Sequence, residues 1–99
     1  MALDNSTIIN YLKEHKKEYT AMGIDIIGIF GSYAKQTNSK NSDIDILYDT
    51  KQGITNLYEK KQTLKEELEK VFNTKIDLAS KKYLKPYVQQ EILKDLIYV

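Results

Sequence analysis

Three short runs rich in isoleucine, leucine and valine-like packing residues alternate with segments of helical periodicity, and that alternation constrains the fold more than any other feature. The runs are Ile24-Asp25-Ile26-Ile27-Gly28-Ile29-Phe30, Asp43-Ile44-Asp45-Ile46-Leu47-Tyr48 and Lys75-Ile76-Asp77-Leu78-Ala79. β-Branched residues suit a pleated surface, so each reads as a strand. Between them, Ser6 to Met22 reads as a helix on the spacing of Ile8, Ile9, Leu12 and Tyr19, capped by Asn5 or Ser6 and ended by Gly23. Asn56 to Phe72 reads as a second, with Leu57, Leu64, Leu68 and Val71 on one stripe and Asn56 with Glu59 as a capping box. Pro86 opens a last helix carrying Val88, Ile92, Leu93 and Leu96. Gly31 to Lys35 forms a turn and a short helix, and Thr37 to Ser42 a polar loop. The expected fold is α/β, a small mixed sheet with helices packed on it.

A chain of 99 residues is expected to form one domain, residues 1–99. Its net charge of +1 gives no case for sequence-independent nucleic-acid binding. All 15 basic residues are lysine, so no side chain can clamp a phosphate in the bidentate manner of arginine. Phosphate would have to be held by backbone N–H groups, hydroxyls, lysine or metal. With no cysteine and a lone His15, thiolate and histidine metal clusters are excluded. No apolar run is long enough for a signal peptide or membrane span, so a cytoplasmic location without membrane association is expected. Of the eight tyrosines, Tyr33, Tyr48, Tyr58, Tyr83 and Tyr87 show no stacking-platform pattern and are expected at core edges and interfaces. Asp25 and Asp49 read as surface acids.

Two features carry chemistry. Gly31-Ser32 directly follows a buried strand; without a side chain at Gly31 a phosphate can approach the backbone, and N–H groups at a helix start there would face it. The same dipeptide also suits an ordinary strand-to-helix turn with serine as N-cap. Asp43 and Asp45 stand two apart on a strand, so their carboxylates share a face and repel unless a cation lies between them. Oxygen ligands so spaced suit Mg²⁺ or Mn²⁺. Asp77 is a third carboxylate if its strand is a neighbour. The competing reading is a half-exposed strand edge with solvated acids.

Taken together, Gly31-Ser32-Tyr33-Ala34-Lys35, then Ser42-Asp43-Ile44-Asp45, then Asp77, the chain resembles the minimal nucleotidyltransferases of the DNA polymerase β superfamily. Leu84-Lys85-Pro86-Tyr87 through Val99 resembles that family's closing segment. The resemblance implies a polymerase β-like core with Asp43, Asp45 and Asp77 as catalytic and metal-binding residues. It implies two Mg²⁺ or Mn²⁺ ions, and Gly31, Ser32 and Lys35 as nucleotide-binding residues. It departs from the family at Lys35, where arginine is usual, and at Gln36, where glycine is common. It further implies transfer of a nucleoside monophosphate, AMP from ATP, to a tyrosine hydroxyl of a helical HEPN-type toxin in a hetero-oligomeric pair, with no direct nucleic-acid contact. Transfer to a small molecule such as an antibiotic, and non-catalytic neutralisation of a partner, remain the alternatives. Tyr87, Leu93, Leu96, Ile97, Tyr98 and Val99 exceed what a small sheet needs for cover and suggest a docking surface.

Overall fold

The computed structural model describes residues 3–99. Helix α1 (Asn5–Ala21) leads into β1 (Ile24–Phe30), the one-turn α2 (Gly31–Lys35) and β2 (Ile44–Thr50). Then follow α3 (Leu57–Phe72), β3 (Ile76–Ser80), a 3₁₀ turn η1 (Lys81–Tyr83), α4 (Pro86–Asp95) and β4 (Ile97–Tyr98). The four strands make one mixed sheet in the order β3-β2-β1-β4. Strand β1 is antiparallel to both β2 and β4, and β2 runs parallel to β3. The mixed α/β class expected from the sequence is therefore the one observed.

Side-chain alternation along the strands fixes which face is buried. Ile24, Ile26 and Ile29 of β1, Ile44, Ile46 and Tyr48 of β2, and Ile76 and Leu78 of β3 pack with Ile8, Leu12 and Tyr19 of α1 and Leu64, Leu68 and Phe72 of α3. Each such large apolar side chain withdrawn from water contributes roughly 1.5–3 kcal/mol. The alternate residues of β2, Asp45, Leu47 and Asp49, point the other way, and there α4 lies against β1 and α2. Asp25 and Asp49 oppose each other across β1 and β2. Lys82 relieves that pair, lying 3.8 Å from Asp49 and donating to the Thr50 carbonyl at 2.6 Å.

Several local expectations are corrected. The cap of α1 is Asp4, not Asn5 or Ser6: its carboxylate accepts from Thr7 N at 2.9 Å and Thr7 Oγ1 at 2.8 Å. Asn56 does precede α3, but in a left-handed conformation (φ 56°) with no side-chain cap bond, so the Asn56–Glu59 capping box does not form. The buried stripe of α3 ends on Phe72 and leaves Val71 exposed. Asp43 lies just before β2 rather than inside it. Leu96 follows α4 and leads into β4, a strand the hydrophobic pattern did not announce. Tyr33 and Tyr48 are buried in the core, whereas Tyr58, Tyr83 and Tyr87 are exposed.

Candidate active site

The ends of three strands meet at one place. In the antiparallel register of β1 and β2, Phe30 is the partner of Asp45. In the parallel register of β2 and β3, Asp45 is the partner of Asp77. Gly31, the residue after Phe30, therefore lies beside Asp45, and Asp77 flanks Asp45 on the other side. Asp43, two residues earlier on the same chain, joins the group at the head of β2. Residues separated by 46 positions in sequence are thus set in a row by strand register alone.

Gly31 adopts φ +74°, a conformation that side-chain-bearing residues rarely take. A Cβ placed there would run into Oδ2 of Asp45. The glycine thus has a second reason to be glycine besides phosphate access: it leaves room for the central carboxylate. Phe30 occupies the N-cap position of α2, and no side chain caps the helix. Serine as N-cap is thereby ruled out: Ser32 sits inside the first turn. With a single turn, α2 has little dipole, so the chemical resource of this segment is its uncapped N–H groups and the Ser32 hydroxyl.

Asp45 is half-buried while Asp43 and Asp77 are exposed. Burial pushes the Asp45 carboxyl up to about 6, reinforced by the charges of Asp77 and Asp43 and by its hydrogen bond with Asp77. No lysine pairs with any of the three among the described residues. Nor are three such groups already gathered into a ready-made cation cage there. The donor set nevertheless fits a hard divalent cation: oxygen-only ligands whose mutual repulsion is unrelieved by protein cations.

Lys35, at the end of α2, reaches Asp95 of α4 at 3.4 Å, both side chains well exposed. Asp95 was not legible as its partner, since nothing local marks a contact across 60 positions. Phe30, Gly31, Lys35, Glu91, Ile92 and Asp95 line a small cavity of about 180 Å³ on this flank. On the opposite flank a cavity of about 430 Å³ borders Asp43.

Comparison with known proteins identifies the family. Residues 6–99 match the polymerase beta nucleotidyltransferase family. The protein adenylyltransferase MntA of Thermococcus cleftensis is 37% identical over 93 residues, covering 93% of this chain and 92% of its own. A Methanocaldococcus jannaschii protein provisionally named a protein adenylyltransferase is 40% identical over 96 residues, covering 95% and 96% of the two chains. Among solved structures, one described provisionally as a minimal nucleotidyltransferase has the same fold, with a TM-score of 0.80 at 24% identity over 98% of this chain and 97% of that one. A toxin–antitoxin structure with AMP-PNP shares the fold at a TM-score of 0.66 and 23% identity, over 97% of this chain and 72% of that one. A family match over residues 6–99, with relatives 37–40% identical along more than nine-tenths of both chains, places this protein in the polymerase β nucleotidyltransferase family.

Proposed function

We propose that the protein transfers AMP from ATP to a tyrosine hydroxyl on a helical HEPN-type toxin, and so acts as the antitoxin of a pair. The observation that carries the chemistry is the row formed by the Gly31 backbone, Asp45 and Asp77 across three strand ends. The direction toward a protein acceptor is supported by relatives named as protein adenylyltransferases and by a neighbour solved as a toxin–antitoxin structure.

Asp43, Asp45 and Asp77 would hold the divalent cations, Mg²⁺ or Mn²⁺. Bound there, such ions neutralise the triphosphate and lower the pKa of the acceptor hydroxyl. The uncapped N–H groups of Gly31 and Ser32, with the Ser32 hydroxyl, orient the triphosphate beside the carboxylates. The phenol oxygen of the acceptor then bonds to the α-phosphorus as the bond to the β-phosphate oxygen breaks. Pyrophosphate leaves, and the phenol proton passes to water. A tyrosine with a pKa of about 10 needs only modest acidification for this, so a dedicated protein base is not required.

The test mixes the protein with the product of the neighbouring gene, ATP and Mg²⁺, and follows the intact mass of that product. One or more added adenylyl groups on tyrosine is the expected result. A stable complex that silences the toxin without any mass change would overturn the catalytic reading in favour of binding alone. Transfer to a small hydroxyl compound but not to the protein would move the acceptor to the antibiotic class.

A further inference from the structure

A transferase that accepts tyrosine hydroxyls carries exposed tyrosines of its own: Tyr58, Tyr83, Tyr87 and Tyr98. Regular structure holds three of them. Tyr58 and Tyr87 belong to the first turns of α3 and α4, and Tyr98 to β4. Tyr83 ends the short turn η1 and is the most exposed of the four, at 85%. The backbone is extended at both Ser80 and Leu84, so η1 is a separate projection and not the start of α4. Its neighbour Lys82 turns back onto the sheet, donating to the Thr50 carbonyl at 2.6 Å and to the Thr50 hydroxyl at 3.2 Å. With Lys82 anchored inward, Tyr83 is presented to solvent on a surface turn that can enter another molecule's site without unfolding anything.

Charge indicates which site that is. From Ser80 to Tyr87 the chain reads Ser-Lys-Lys-Tyr-Leu-Lys-Pro-Tyr, with three lysines and no acid. Lys81 and Lys85 are in no ion pair among the described residues. The acid row is the complement, since Asp43, Asp45 and Asp77 have no lysine partner there either. Divalent cations that balance a bound triphosphate do not balance the three carboxylates as well, so a lysine-flanked tyrosine is drawn to this site. Topology then separates a copy's own site from a neighbour's. Asp77 lies at the start of β3, and η1 follows its end. Lys82 meets Thr50, the last residue of β2, whereas Asp45 is near the first. At about 3.3 Å per strand residue, Thr50 stands roughly 16 Å along β2 from Asp45. Tyr83 is thus at the end of the sheet remote from its own acid row, and a second copy has to supply the site.

We propose that the protein also adenylylates itself, with Tyr83 of one copy as the acceptor at the acid row of another. This rests on the transferase reading above and adds an acceptor to it. The Tyr83 phenol oxygen bonds to the α-phosphorus of ATP as the bond to the β-phosphate oxygen breaks. Pyrophosphate leaves, and the phenol proton passes to water.

The experiment incubates the wild type alone with ATP and Mg²⁺ and follows it by intact mass and peptide mapping. An adenylyl group on Tyr83 is expected, with a fractional rate that rises in proportion to protein concentration. A mixture then pairs Asp45→Asn, which keeps Tyr83 but loses the central acid, with Tyr83→Phe, which keeps the acid row. Only the Asp45→Asn chain should gain mass. Replacing Lys81 and Lys85 together by glutamate should slow the self-reaction about tenfold, the scale of electrostatic steering. Because Tyr83 is exposed, Tyr83→Phe should melt with the wild type and still modify the toxin. If the wild type modifies the toxin while its own mass stays unchanged, or gains mass at a different tyrosine, Tyr83 is not the acceptor and the transferase reading stands. A fractional rate independent of protein concentration would overturn transfer between copies. If neither the toxin nor the protein itself gains mass, both readings fall.

Discussion

Gly31 joins two requirements at one Cα. Its φ of +74° is costly for any residue with a Cβ, and the space a Cβ would take is occupied by the Asp45 carboxylate. Gly31→Ala therefore strains the backbone and displaces the central acid at once. The expected result is a loss of about 1–3 kcal/mol in stability, read by denaturant titration, with transfer falling much further than stability alone explains. An alanine variant with wild-type transfer would show that Asp45 has room to move, against the geometry described here. The same residue shows what a sequence conceals. That glycine follows a strand was readable, and so was its suitability for phosphate. That its missing side chain makes room for an aspartate 14 positions away was not, because only the register Phe30↔Asp45 brings the two together. The α1 cap was missed for a simpler reason: Asp4, Asn5 and Ser6 are all good caps, and the choice of Asp4 depends on Thr7 offering both its N–H and its hydroxyl.

At the level of elements, length decided legibility. Strand β1 was readable to the residue because seven consecutive positions carry the pattern, and α1 and α3 to within one residue at each end because sixteen or more do. Strand β4, with two residues, has no pattern to read, yet it protects an edge of β1. The β1–β2 register shifts between Ile26 and Gly28, and on the other edge of β1 Ile27 O accepts from Val99 N at 3.0 Å. Gly28 then faces the Ile97 carbonyl with no space for a Cβ. Lys16 of α1 fastens the end by donating to Val99 O at 2.8 Å. Gly28→Ala should push β4 off and leave β1 as an open edge, which is a template for pairing with other chains. A destabilisation of about 2–3 kcal/mol is expected, with concentration-dependent association in sedimentation. A monomeric variant of wild-type stability would show that β4 contributes nothing to the sheet. Helix α4, which precedes β4, buries none of its residues fully, and Tyr87, Leu93 and the following Tyr98 are exposed. The surplus apolar surface expected from the sequence at the C-terminal end is thus present for these three, while Leu96, Ile97 and Val99 are half-buried against the fold.

Across the whole molecule, the acid row sets stability against function. Asp45 titrates at about 6 in the folded chain, against an ordinary value of 3.8. A carboxyl whose folded pKa is raised favours the protonated form on folding. Its contribution is complete below the unfolded value and is lost as pH rises through the folded one. The metal-free protein should therefore lose stability between about pH 4 and pH 7, by no more than about 2 kcal/mol once the solvent reaching this half-buried group is allowed for. Thermal melts in chelator across that range measure it. Asp45→Asn removes the ionisation, so its melting temperature should vary far less between those limits and exceed the wild type's at neutral pH, while transfer is lost. In the wild type, saturating Mg²⁺ favours the ionised carboxylate and should flatten the same slope, and in Asp45→Asn it should do much less. A wild type whose neutral-pH stability equals that of Asp45→Asn in chelator would mean that the three carboxylates do not strain the fold. A Mg²⁺ effect of equal size in both proteins would place the cation elsewhere on the molecule, and with it the chemistry assigned to the meeting point of the three strands.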